Sequence, residues 1–235
     1  MRRLRGGGVD LRMFGQAIPL LVRNPALILA PIFTGVLDIV IQELARVSGA
    51  DVSGFTGGIY QFLIFVIDAF GLAVSLCIAD AVWRRGRGSF DEGWEEGRRK
   101  AGDIFMAALG LNFLIYIALQ LGSFISPILG EVLFVLAFFF LIYTLPAAAI
   151  GGVPGMMALN ASIERVRQNY PLAIALAVCF VLLYWGLGTI LIPFYTIYMG
   201  VGSLLIAALA RAIVLAYFAL VLARGYESVS FVRRF

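Results

Sequence analysis

Three charged side chains lie inside long apolar segments of this 235-residue chain: Asp38, Asp68 and Arg211. A charge is costly in hydrocarbon, so such residues are normally paired with one another or functional. Counted at 1.5 Å per residue from the ends of their segments, all three fall about 10–16 Å below one membrane surface. This matching depth predicts an Asp68–Arg211 contact, with Asp38 as a rival or third member. Two interpretations are open: charges that fix the helix register, or the lining of a proton or solute path.

Asp80 and Asn112 form a secondary polar set. Asp80 precedes Arg84 by four residues, a spacing that favours a salt bridge within one helix. Asn112 lies in the middle of an apolar segment, so we expect its side chain to form a hydrogen bond with another helix.

The other residues indicate no catalytic chemistry. The chain has no histidine, which excludes a histidine general base, metal ligand or haem ligand. Cys77 and Cys179 lie in apolar runs, where cysteine usually packs as a small hydrophobic residue. Neither a phosphate-binding GxxxxGK[ST] loop nor a GxSxG turn is present. We therefore predict no enzymatic activity, no catalytic residue, no metal site and no cofactor.

The composition is that of an integral membrane protein. The chain is 62% hydrophobic and 14% charged, and its mean hydropathy is +0.97. A soluble domain has about 45–50% apolar and about 25% charged residues. These values exclude a disordered chain, a disulfide scaffold and a nucleic-acid-binding module. The net charge of +4 is typical of membrane proteins whose loops face anionic lipid.

Six segments have the roughly 20 apolar residues that a membrane-spanning helix needs. They cover about 25–45, 58–83, 103–122, 129–150, 171–192 and 200–223. Pro193, Gly200 and Gly202 indicate a turn between the last two segments. The predicted fold is therefore all-α, a polytopic six-span bundle that forms a single domain over residues 1–235.

The distribution of basic residues predicts the orientation. Sixteen lysines and arginines lie before the first span, after the last span, or in the second and fourth connections. Arg46 alone lies on the opposite side. Because basic loops stay in the cytoplasm, both termini are expected to face it. We predict a multi-pass protein of a prokaryotic cytoplasmic membrane.

A short amphipathic stretch precedes each pair of spans, at 11–23, 89–100 and 154–169. Such stretches are typical of interfacial helices, here on the cytoplasmic side. Within the second, Ser89 and Glu92 have the spacing of a capping box. The chain can be divided into three units of one interfacial helix and one hairpin. This pattern fits either a true triplication or the general layout of such hairpin proteins.

Small residues recur every four positions near two of the intramembrane charges. In span two they share a face with Asp68, and in span six they lie beside Arg211. They are Gly71, Ser75, Ala79, Ala208, Ala212 and Ala216. Because small residues at this spacing let helices approach closely, spans two and six are predicted to pack directly.

Two stretches carry a resemblance to a known family. The first is SFDEGW at 89–94 with RRKAGDI at 98–104; the second is LP at 145–146, GMMALNAS at 155–162 and RQN at 167–169. In these stretches the chain resembles the glycerophosphodiester phosphodiesterase membrane-domain family and related six-helix proteins of bacteria and archaea. The resemblance implies six spans with amphipathic cytoplasmic segments. It does not imply phosphodiesterase activity, which belongs to a separate soluble domain. Gly151 and Gly152 replace an expected acidic residue.

The resulting functional hypothesis is a non-enzymatic integral membrane protein: a scaffold, a lipid-interacting module or an accessory subunit. The alternative is a small transporter or channel that uses Asp38, Asp68 and Arg211. The expected partners are membrane lipids and either a membrane protein or a second copy of the chain. Nucleic acid is not expected.

Overall fold

A computed structural model describes residues 10–47, 55–197 and 201–230. This described part contains ten α-helices and no β-strand, which confirms the predicted all-α class. The helices are α1 (Arg12–Arg23), α2 (Ala26–Val47), α3 (Phe55–Arg85), α4 (Phe90–Arg99), α5 (Ala101–Ile125), α6 (Pro127–Leu141), α7 (Thr144–Ala149), α8 (Met157–Gln168), α9 (Tyr170–Ile197) and α10 (Val201–Ser230).

Five helical stretches are long and apolar enough to cross a membrane. They are Ala26–Ala45, Ile59–Arg85, Ala101–Ile125, Pro127–Ala149 and Leu204–Ser228. The pair formed by α8 and Tyr170–Leu183 is bent by 112° and would make a sixth. The chain is therefore a polytopic helical bundle with five to six spans. The count of six stays a prediction, although α9 covers the whole predicted segment 171–192.

The predicted fourth span is divided into two helices. Helix α6 ends at Leu141, and α7 begins at Thr144. Pro146 has no backbone N–H with which to continue the helical hydrogen-bond ladder. The break lies inside the bundle, since Tyr143 and Thr144 are both fully buried.

The predicted turn at Pro193 is wrong in its position. Helix α9 continues through Pro193 to Ile197, and Gly202 lies within α10. Transmembrane helices tolerate proline because neighbouring groups satisfy the freed backbone carbonyl. Residue 200 lies outside the described residues.

Helices α5 and α6 form a very tight hairpin. Ser126 alone connects them, and its Oγ accepts a hydrogen bond from the backbone N–H of Leu129 at 3.1 Å. Pro127 occupies the first turn of α6, where its missing N–H costs nothing. The two helices meet at Gly122 and Gly130, where a Cβ on Gly122 would lie 2.6 Å from the Gly130 backbone.

All three predicted amphipathic stretches form short helices, α1, α4 and α8, at one end of the bundle. The Tyr217 hydroxyl of α10 donates to the Phe14 carbonyl of α1 at 3.1 Å. Arg165 of α8 donates to the Tyr226 carbonyl of α10 at 2.8 Å. Helix α4 packs on the final turns of α3. We call this region the capped end. Each short helix precedes two longer helical segments, but a true triplication stays a prediction.

The predicted capping box at the start of α4 is wrong. Ser89 is the N-cap residue with extended backbone, but its side chain makes no capping hydrogen bond. Glu92 is drawn instead to Arg85 at the end of α3, with which it forms an ion pair. A charged partner therefore replaces the reciprocal backbone bond that the spacing suggested.

Candidate functional site

The three predicted intramembrane charges form one cluster, which we call the triad. Arg211 of α10 lies between Asp38 of α2 and Asp68 of α3. Its Nη1 donates to Asp38 Oδ2 at 2.9 Å, and its Nη2 donates to Asp68 Oδ2. The side chain of Asp38 is 2% exposed, that of Asp68 19% and that of Arg211 40%. Asp38 is therefore the third member of the cluster and does not compete with Asp68.

Close packing of α2 against both α3 and α10 positions the triad. A Cβ on Gly35 of α2 would lie 3.4 Å from the Ala208 side chain of α10. Gly71 of α3 packs against Thr34 of α2, and the Ser75 hydroxyl donates to the Leu27 carbonyl at 3.1 Å. These distances leave the charges little room to separate.

The predicted packing of spans two and six needs one correction. Helices α3 and α10 do pack directly, as the small residues suggested. However, Gly71 and Ser75 contact α2, and Ala208 also contacts α2. Small residues of both α3 and α10 therefore pack against α2. The sequence patterns of the two spans, taken separately, did not indicate this shared contact.

The charges of the triad do not balance. One guanidinium faces two carboxyl groups, which interact with each other as well as with Arg211. Two carboxylate oxygens, Oδ1 of Asp38 and Oδ1 of Asp68, are buried without a hydrogen-bond partner among the described residues. A planar guanidinium can bind two carboxylates at once, so the triad can tie three helices together. Chemically, the two remaining oxygens could also accept a proton.

Asp80 belongs to a second ion cluster, at the capped end. Its carboxylate lies 3.0 Å from Arg84 Nη2, which confirms the salt bridge expected from the sequence. Arg84 Nε also donates to Glu227 of α10 at 3.1 Å. The sequence analysis missed Glu227, because its 143-residue separation from Arg84 gives no local signal.

Asn112 does not make the predicted contact. Its half-buried side chain forms no hydrogen bond to another helix among the described residues. Asn112 lies at the edge of the packed face of α5, between buried Leu111 and exposed Phe113. Both Cys77 and Cys179 are free thiols.

A charged cavity of about 480 Å³ lies among the end of α3, α4 and the residues around α7. We call it the α3–α4 cavity. Three acidic and three basic residues line it: Asp80, Glu92, Glu96, Arg84, Arg85 and Lys100. Lys100 Nζ donates to the Ala149 carbonyl at 2.6 Å and lies 2.8 Å from Glu96 Oε1. The hydrogen bond from Lys100 lowers the pKa of the Glu96 carboxyl group, which therefore stays ionised at neutral pH.

Aromatic packing fixes the position of α4 beside this cavity. The Trp94 ring stacks on Phe90 and makes edge contacts with Phe33 of α2 and Phe70 of α3. On its other side, α4 presents Glu92 and Glu96 to the cavity. Helix α4 thus separates an aromatic cluster from a charged surface.

Comparison with known proteins identifies no similar protein. No family model matches the chain, and no curated protein or solved structure is significantly similar to it. The resemblance to the glycerophosphodiester phosphodiesterase membrane domains therefore stays a prediction.

Proposed function

We propose that the chain is a non-catalytic membrane protein that interacts with lipids through its capped end. The observation that supports this most strongly is the surface of α1. One face of this helix packs into the bundle through Met13, Ala17 and Leu21. A second face is apolar but exposed: Leu11 is 66% exposed, Ile18 57% and Val22 77%.

This second apolar face has a direct physical interpretation. Exposed aliphatic side chains next to arginines are typical of a helix that lies in the plane of the membrane interface. Arg12 and Arg23 flank the exposed face and can bind lipid phosphates. Exposed Met156 and Met157 give the start of α8 a similar character. The capped end would thus hold lipid molecules against the surface of the helical bundle.

The triad supports a scaffold role for the rest of the molecule. Asp38 is buried where α2, α3 and α10 pack closely, and Arg211 already binds both carboxylates. We propose that these charges hold the three helices in register. We also propose that the capped end faces the cytoplasm of a prokaryote, because it carries Arg84, Arg85 and Lys100.

Removing the exposed apolar face of α1 should weaken the effect of lipid on stability. We expect added phospholipid to raise the Tm of the detergent-purified protein, since a ligand of the folded state stabilises it. The double variant Ile18→Ser/Val22→Ser should lose most of this rise, because each side chain contributes about 1–2 kcal/mol of apolar contact with lipid. The measurement is Tm against phospholipid concentration.

Gln16→Ser is the matched control, since Gln16 is exposed on the same helix but polar. It should keep the full lipid-dependent rise. A wild-type Tm that does not respond to phospholipid would contradict the proposed function. So would an equal loss in Gln16→Ser.

A second candidate function is transport through the triad. The observation that favours it is the excess carboxylate, with two buried oxygens that have no hydrogen-bond partner in the described part of the chain. In this case a proton or small cation would bind at Asp38 and Asp68 and be released as α10 moves.

Transport has its own test. Wild-type protein in vesicles loaded with a pH-sensitive dye, or with a cation-sensitive dye, should then show a proton or cation flux, respectively, that Asp68→Asn and Arg211→Gln abolish. Protein-free vesicles give the background leak. If both variants retain the wild-type flux, the triad does not carry transport.

A further inference from the structure

We propose that the α3–α4 cavity binds a zwitterionic group of the phosphoethanolamine type, as found in a phospholipid headgroup. The phosphate would lie at Arg84 and Arg85, and the primary ammonium at Glu92 and Glu96. This inference rests on the proposed lipid-interacting function and names the ligand class for one site.

The charges around the cavity match a zwitterion. Its three acidic and three basic side chains sum to zero, so a ligand of one sign would meet as much repulsion as attraction. The groups proposed for the phosphate and for the ammonium come from different helices, although Arg85 and Glu92 also form an ion pair with each other. Arg84 and Arg85 are adjacent at the end of α3, whereas Glu92 and Glu96 are one turn apart on one face of α4.

The charged groups can still bind a ligand. The side chains of Arg84, Arg85 and Glu92 are 61%, 57% and 58% exposed, respectively. A guanidinium has five N–H donors, and an ionised carboxylate has about four acceptor positions. Arg84 is paired with Asp80 and Glu227, and Arg85 with Glu92. Glu96 is paired with Arg99 and Lys100. These ion pairs leave part of the donor and acceptor capacity for a phosphate and an ammonium.

The lining favours a primary ammonium over a quaternary one. Proteins recognise quaternary ammonium groups with aromatic cages. Among the described residues, none that lines this cavity is aromatic, and the nearby Trp94 packs against Phe33 and Phe70 instead. A primary ammonium has three N–H donors, which the carboxylates of Glu92 and Glu96 can accept. Hydrogen bonding by Lys100 keeps Glu96 ionised for this purpose.

The position and size of the cavity suit a headgroup. Arg85 is the last residue of the apolar stretch Ile59–Arg85, so the cavity lies at the end of a span, where headgroups are found. Its volume of about 480 Å³ is within the usual range of ligand sites.

Native mass spectrometry with an equimolar mixture of dioleoyl phosphatidylethanolamine and dioleoyl phosphatidylcholine tests the assignment. We expect the wild-type protein to bind the ethanolamine lipid about tenfold better, the effect of one charge-assisted hydrogen bond. Glu92→Gln should remove this preference without unfolding the protein, because Glu92 is exposed. Arg85→Gln should weaken both lipids equally, since both contain the phosphate.

Glu95→Gln is the matched control. Glu95 lies on the same helix, but it pairs with Arg98 at 2.9 Å and does not line the cavity. This variant should keep the tenfold preference. A loss of preference equal to that in Glu92→Gln would overturn the assignment to the cavity.

Soluble glycerophosphoethanolamine separates a lipid headgroup from a free solute. Displacement of the lipid at millimolar concentration, with weaker binding than the lipid itself, supports a headgroup site. If glycerophosphoethanolamine binds as tightly as the lipid, the ligand is a free solute and the assignment to a lipid headgroup is overturned. Equal binding of the two lipids by the wild-type protein overturns the ethanolamine assignment but leaves the proposed lipid interaction standing. If the wild-type protein binds neither lipid, both the ethanolamine assignment and the proposed lipid interaction are contradicted.

Discussion

Arg211→Gln should be the most destabilising change in the triad, with a cost of about 3–5 kcal/mol in the free energy of unfolding. The substitution leaves Asp38 and Asp68 facing each other without a cation, and Asp38 is 2% exposed. Two neighbouring buried carboxylates cannot both stay ionised, so at least one must take up a proton or the helices must separate.

The two aspartates should respond differently from the arginine. Asp68→Asn leaves a neutral Asp38–Arg211 pair, and Asp38→Asn leaves a neutral Asp68–Arg211 pair. Each variant therefore removes the excess negative charge of the cluster. We expect each to cost no more than about 1–2 kcal/mol, the usual range for a single substitution.

Thermal unfolding in detergent measures these differences. For a chain of this size, about 2–4 °C of Tm corresponds to 1 kcal/mol, so Arg211→Gln should lower Tm by about 10 °C. The triple variant Asp38→Asn/Asp68→Asn/Arg211→Gln should recover most of this loss, since no buried charge remains. If Arg211→Gln instead has the same Tm as the wild-type protein, the triad does not hold the helices together, and the flux assays become decisive.

The spans and short helices could be predicted because their signals are local. A run of apolar residues predicts a span wherever it occurs, and the helices α1, α4 and α8 lie within their predicted stretches. The triad was partly predictable for the same reason, since the depth of a residue follows from its distance to the end of its span. Depth alone was enough to predict that Asp38, Asp68 and Arg211 lie at the same level of the membrane.

Helix rotation about the long axis was not predictable. Helix α3 is apolar on all sides, so no polar face shows which residues contact α2 and which contact α10. The contacts of Gly71 and Ser75 with α2 therefore depend on how three helices fit together. For the same reason the sequence left open whether Asp38 competes with Asp68 or joins it.

The charged residues of the α3–α4 cavity all lie within residues 80–100, but the cavity itself was not predicted, because it forms only when α4 packs back on the final turns of α3. Glu92 has a capping-box spacing from Ser89, but the structure pairs it with Arg85 across the α3–α4 turn. Glu96 and Lys100 are four residues apart, a spacing that allows a salt bridge within one helix, and that contact forms at 2.8 Å. No spacing indicated that Lys100 would also reach the Ala149 carbonyl.

Gly122→Ala should destabilise the α5–α6 hairpin by about 1–3 kcal/mol, through overpacking against a rigid neighbour. The new Cβ would lie 2.6 Å from the Cα and N atoms of Gly130 and from the carbonyl oxygen of Leu129. These are backbone atoms, which cannot rotate away as a side chain can. Because Ser126 alone joins the two helices, the hairpin can relieve the clash only by opening. The measurement is Tm in detergent, as for the triad.

Gly102→Ala is the control, because it lies in the same helix with no neighbouring atom within 4 Å of its Cβ position. Alanine is the better helix former by about 1 kcal/mol, so this variant should unfold at the wild-type Tm or slightly above it. The gain in helix propensity is similar for Gly122→Ala. Any decrease in the Tm of that variant therefore measures the steric cost of closing the hairpin. Equal Tm values for the two variants would show that α5 and α6 lie further apart than the Gly122–Gly130 contact requires.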